Sequence, residues 1–92
     1  MTQQETFGIA AFRSRQQVMR FDSALKRAGI PSDIISTPRE VSLGCGLSVQ
    51  FDLRDARAVI DVYRQSRPGN LIGFYQVTRA YGSRPQVIPL RE

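Results

Sequence analysis

Cys45 is the only cysteine among 92 residues, and it stands between two glycines in Gly44-Cys45-Gly46. A lone thiol is a nucleophile when its thiolate is stabilised, and an inert apolar group when it is buried. The flanking glycines remove side chains on both sides of the sulfur and tolerate positive φ. Their backbone N–H groups can therefore come close to whatever the sulfur holds. Just upstream, Thr37-Pro38-Arg39-Glu40 reads as a helix start, with Thr37 as N-cap, Pro38 at the first helical position and Glu40 reaching back to the cap N–H. A single turn from Pro38 to Leu43 would end on Gly44 as a left-handed C-cap. The plainer alternative is a glycine-rich hairpin loop with an incidental cysteine, since no base or second ligand stands nearby.

The chain has no histidine. That excludes Cys–His and Ser–His catalysis within one chain and a Cys/His zinc site. The eight acidic residues are spread out, so paired carboxylates for acid–base work have little support. Neither a metal nor a cofactor is called for. What remains is chemistry that one thiolate can perform.

The elements that must position this loop are legible as alternating patterns. Thr6 to Phe12 reads as a buried strand. Ser14-x-x-Gln17 is a capping box, and Val18, Phe21, Leu25 and Ala28 form the apolar stripe of the helix it opens. Gly29 and Pro31 end that helix. Ile34 to Thr37 makes a short second strand. After the cysteine, Leu47, Val49 and Phe51 alternate with Ser48 and Gln50 as a third strand. Asp52 caps a second helix with a stripe of Ala56, Val59, Ile60 and Tyr63, stopped by Arg67-Pro68-Gly69-Asn70. Leu71 to Thr78 is a fourth strand, in which Gly73 marks a bulge or close packing.

The order β-α-β-β-α-β predicts an α+β, ferredoxin-like fold with a four-stranded antiparallel sheet and both helices on one face. A right-handed crossover sets strands one and two parallel with strand three between them. Residues 1–79 then form one domain. Residues 80–92 are a tail outside the core, in which Gln86-Val87-Ile88 can add an edge strand or serve self-association. In this arrangement the cysteine loop shares an end of the sheet with the start of the first helix. Arg13, Ser14, Arg15 and the positive helix end would favour a thiolate there, and the carbonyl end of the short Pro38 turn would oppose it.

Composition is that of an ordinary globular protein, 41% hydrophobic and 23% charged. The first residues lack a basic start and apolar run, so no signal peptide is expected, and no apolar run can span a bilayer. A reducing cytosol is the expected compartment. The formal charge is +5, from twelve arginines and one lysine against eight acids, which suits nucleic acid or an acidic protein. The arginines form no block, however. Phe7, Phe21, Phe51 and Tyr63 fall on predicted core faces. The predicted outward residues Ser48, Gln50, Gln76 and Thr78 lack the aromatic pair of an RNA-binding sheet.

Ala28-Gly29-Ile30-Pro31, Ser36-Thr37-Pro38-Arg39-Glu40-Val41-Ser42 and Gly44-Cys45-Gly46-Leu47 together resemble the DUF3343 family of selenium/sulfur carrier-like proteins. The resemblance spans roughly residues 7 to 77 and is sharpest at 37 to 47. Ser42-Leu43-Gly44 departs from the serine-rich run often found before the cysteine. The resemblance implies a sulfur or selenium atom held as a persulfide or selenenylsulfide, with Cys45 as carrier thiol. Arg39, Gly44, Gly46, Arg13 and Ser14 are then the candidate binding residues around it. For Arg39 the alternative is a surface ion pair with Glu40. Such a carrier is not a catalyst in its own right, and its implied partners are donor and acceptor proteins. Self-association is a further option. The competing class is a small basic binding module, for nucleic acid or a small regulatory ligand, with a structural cysteine.

Overall fold

The computed structural model describes residues 4–41, 46–80, 82 and 84–90. Gln4–Phe12 forms β1, in which every residue from Phe7 to Phe12 is buried. A strand can bury both faces only if it lies between neighbours with material above and below. β1 does so, pairing antiparallel with β3 (Leu47–Phe51) on one side and β4 (Leu71–Ala80) on the other. β2 (Ser32–Ser36) lies beyond β3, and β5 (Gln86–Pro89) beyond β4. The sheet order is β2-β3-β1-β4-β5, antiparallel throughout.

The fold is therefore α+β, with two helices and five strands among the described residues. The first four strands take the predicted order, with β3 between β1 and β2, but the expected count of four is too low. Residues 86–89 pair with β4 along its outer edge, from Tyr75↔Pro89 to Thr78↔Gln86. Val87 packs against a cluster of buried residues in the sheet, and Leu90 against the main core, its N–H donating to Phe74 O at 2.8 Å. Pro89, the last residue of the segment, fits an edge, where a missing N–H costs no ladder bond.

Helix α1 (Arg15–Arg27) buries Val18, Phe21 and Leu25. It ends as a Schellman motif: Gly29 takes φ 79°, its N–H donates to Lys26 O at 3.0 Å, and Ile30 N–H donates to Leu25 O at 2.9 Å. Helix α2 (Ala56–Ser66) follows a 3₁₀ turn, Leu53–Asp55, which Asp52 caps by accepting Arg54 N–H at 2.9 Å. Both helices pack on the same face of the sheet, around Ala10, Phe12, Val49, Phe51 and Phe74. A run of aromatic contacts ties the layers together: Phe12–Phe21 at 5.5 Å, Phe21–Tyr63 at 6.3 Å and Tyr63–Phe74 at 5.4 Å. Each fully buried side chain of this size contributes about 1.5–3 kcal/mol.

Asp22 is the one acid of α1, and it turns inward. Its carboxylate accepts Ser32 Oγ at 2.6 Å and Lys26 Nζ at 2.8 Å, joining the helix to the start of β2. Gly8 is required by packing, since a Cβ there would overlap the Phe51 ring lying across it. Gly73 combines both expected roles. The Tyr75 ring covers it, with the hydroxyl 2.9 Å from where a Cβ would sit. Its neighbour Ile72 is the extra residue of a bulge, because Ala11 pairs with Gly73 and Phe12 with Leu71.

Candidate functional site

The cysteine loop leaves β2 after Ser36 and enters β3 at Leu47, and these two residues are paired. The pairing extends one step further, because Thr37 N–H donates to Gly46 O at 2.9 Å. Beside it the Thr37 and Ser48 hydroxyls meet at 2.7 Å in a buried contact. The mouth of the loop is thus closed by one backbone and one side-chain hydrogen bond. Gly46 fits this mouth because a Cβ would stand 3.2 Å from Thr37 Oγ1 and 3.7 Å from Phe12 O.

These contacts correct the expected capping role of Thr37. Its hydroxyl is taken by Ser48, and its N–H by Gly46 O rather than by Glu40. Pro38 is buried and opens a single turn in which Val41 N–H donates to Pro38 O at 3.0 Å. Val41 then packs on the sheet face away from the helices, against the cluster of Phe7, Ile9 and Val77. The described start of the loop, Pro38 to Val41, therefore folds back over that face. The expected continuation of the turn to Leu43 and its cap at Gly44 lie outside the described residues, as does Cys45.

The described candidates sit as follows. Gly46, which follows Cys45 in the chain, lies against the carbonyl of Phe12, one residue before Arg13 and two before Ser14. Arg13 is exposed, and its N–H donates to Asn70 O at 2.8 Å, so the loop after α2 closes the same end of the sheet. Ser14 occupies the N-cap position of α1 with extended backbone, but its hydroxyl makes no capping bond to the described residues. The expected capping box at Gln17 is therefore replaced by the backbone alone, with Val18 N–H donating to Ser14 O at 3.1 Å. Arg39 is exposed on the turn. Two ion pairs join described residues, Lys26–Asp22 and Arg54–Asp52, and neither involves Arg39 or Glu40.

The sheet face opposite the helices also differs from the expected row of outward polar residues. Ser48 points to that face but is fully buried. Gln76 and Thr78 share the face of Ala10 and Phe74, on the helix side, through the pairs Gly8↔Gln76 and Thr6↔Thr78. What lines the opposite face is largely apolar: Phe7, Ile9, Ile35, Tyr75 and Val77, with Arg79 stacked 5.4 Å from the Phe7 ring centre.

Displaced titrations lie away from the loop. The hydrogen bond to Asp22 raises Lys26 above the usual lysine range. The side-chain hydrogen bond from Arg54 holds Asp52 below the usual carboxylate range, and Arg54 is raised in turn. Asp52 follows Phe51, at the end of β3 opposite the cysteine loop.

The class so defined is a small α+β domain that presents one pinned loop at the end of its sheet. The chain belongs to the family described as "Putative Se/S carrier protein-like", whose sequence model matches residues 7–69. The match takes in every candidate site residue and leaves β4 and β5 outside it. No curated protein and no solved structure matches the chain. No described helix is long and apolar enough to cross a membrane.

Proposed function

We propose that the chain carries sulfur or selenium on Cys45 and passes it between a donor and an acceptor protein. The observation that carries this reading is family membership over a span that includes the pinned Thr37–Gly46 loop. A carrier requires one nucleophilic sulfur, and the chain contains one cysteine and no histidine. In the sulfur case, the Cys45 thiolate attacks the terminal sulfur of a donor persulfide. A new S–S bond forms to Cys45, the donor's S–S bond breaks, and the donor thiolate leaves. An acceptor thiolate then attacks the same terminal sulfur and releases the Cys45 thiolate. No electrons are gained or lost overall.

Arg39 on the loop turn, and Arg13 with Ser14 at the start of α1, are the proposed stabilisers of the thiolate and of the persulfide anion. Gly44 and Gly46 leave room beside the bound atom. Partner proteins supply the donor and acceptor groups. The test is intact mass after incubation with a cysteine desulfurase and free cysteine. The wild-type chain is expected to gain the mass of one sulfur atom, reversed by a thiol reductant, and Cys45→Ser to gain none. An unchanged wild-type mass, or an equal gain in Cys45→Ser, defeats the reading.

A further inference from the structure

We propose that the groove between α1 and the connection from α2 to β4 docks an acidic, partly apolar segment of a partner protein. The groove encloses about 570 Å³ and is lined by three arginines, Arg20, Arg27 and Arg67, together with Met19 and Pro68. No acidic side chain lines it among the described residues. Neither ion pair of the described residues involves these arginines. The one acid on α1, Asp22, is turned inward and held by Ser32 and Lys26, which leaves no acid on the outer face of the helix.

The walls argue for a peptide rather than a nucleic acid. Met19 is 56% exposed although large and apolar. A flexible thioether beside guanidiniums suits a segment that alternates carboxylates with apolar side chains. The one aromatic ring in the lining, Phe21, is buried and offers no face for base stacking. From Gln17 to Arg27 the groove follows α1 for about 15 Å, the length of four or five extended residues.

The Arg67 backbone strengthens the assignment. Arg67 caps α2 in the left-handed conformation, φ 44° and ψ 56°, where glycine is the unstrained choice. The strained position places Arg67 in the lining of the groove. Three residues on, Asn70 O accepts Arg13 N–H, so the connection that walls the groove runs on to the end of the sheet where the cysteine loop emerges. Docking does not depend on sulfur carriage, and the two are measured separately.

The experiment is fluorescence anisotropy with the full chain, in wild-type and Cys45→Ser backgrounds. The probe is a fluorescein-labelled peptide of alternating glutamate and leucine, with a lysine–leucine peptide and a single-stranded oligonucleotide as comparators. The acidic peptide is expected to bind both backgrounds equally. Arg20→Glu and Arg27→Glu should each weaken binding about five-fold or more, while Arg57→Glu, the same charge change outside the groove, should shift it less than about two-fold. Met19→Ala should weaken binding with no change in charge. Arg67→Gly should weaken binding while raising the urea midpoint, since glycine relieves the strained cap. Equal losses in Arg57→Glu and Arg20→Glu would show a response to net charge alone and overturn the proposal. So would tighter binding of the oligonucleotide through the same arginines, or no binding of the acidic peptide.

Discussion

Thr37 and Ser48 hold the mouth of the cysteine loop shut through hydroxyls 2.7 Å apart, with Ser48 fully buried. Removing one partner strands the other without water, a cost of about 1–3 kcal/mol, whereas removing both leaves nothing unsatisfied. Thr37→Val and Ser48→Ala are each expected to lower stability in that range, and the double variant to lose clearly less than their sum. Urea denaturation of the four chains measures this coupling. Strict additivity would show that the hydroxyls do not support each other.

The carrier reading predicts an accessible, fast-reacting thiol. Cys45 in the native chain should be alkylated by iodoacetamide at neutral pH faster than in the urea-unfolded chain. Arg39→Ala should slow the native reaction, and Arg64→Ala, on the exposed face of α2, should not. A thiol that reacts only after unfolding means that Cys45 is structural.

Stability should respond to pH at both extremes, for opposite reasons. Lys26 is raised by its bond to Asp22, so its contribution is complete below the usual lysine range and fades as pH rises beyond it. Asp52 is lowered chiefly by its bond from Arg54, so its contribution is present above the usual carboxylate range and fades as pH falls through it. Asp52→Asn keeps a capping oxygen for Arg54 N–H but removes the charge. The urea midpoint of that variant should fall less steeply than wild type on acidification. Parallel curves would remove Asp52 from the acid response.

Gly8 lies beneath the Phe51 ring. Gly8→Ala should cost about 1–3 kcal/mol by overpacking. Combining it with Phe51→Leu should recover part of that loss, read from the thermal midpoints of the three variants. A neutral Gly8→Ala would mean that the ring moves aside freely.

Deleting residues 82–92 tests the proposed boundary between domain and tail. Val87 and Leu90 are partly buried, so the truncated chain should remain cooperatively folded but lose about 2–4 kcal/mol. It also bares the outer edge of β4, and size-exclusion chromatography should report a changed oligomeric state. Global unfolding on truncation would place the tail within the core.

Much of this architecture was legible in the chain. The stripe Val18, Phe21 and Leu25 faces the core, Leu47–Phe51 is a strand as read, and Gly29 ends α1. These features depend on local spacing and on glycine's backbone freedom. The misread features depend on contacts distant in sequence. Thr37 has the local signature of a helix cap, but Ser48 lies across the ladder and takes its hydroxyl. The bulge at Ile72 and partial burial on both faces of β4 hide which way Gln76 and Thr78 point. Residues 86–89 are short and end in proline, so only the open edge of β4 makes them a strand of the sheet. The arginine groove was invisible because Arg20 and Arg67 come from elements that meet only after folding.

β1 comes first in sequence among the strands of the sheet and lies in its middle. During synthesis it leaves the ribosome with six consecutive residues that end up buried, Phe7 to Phe12, and neither pairing partner yet made. β3 follows only from residue 47, and β4 from residue 71. Most of the chain must therefore be translated before its most apolar segment is sheltered on both sides. Such late, long-range pairing slows folding and prolongs exposure of sticky surface. The nascent chain thus carries a marked aggregation hazard in β1, from the moment that strand emerges until β4 arrives.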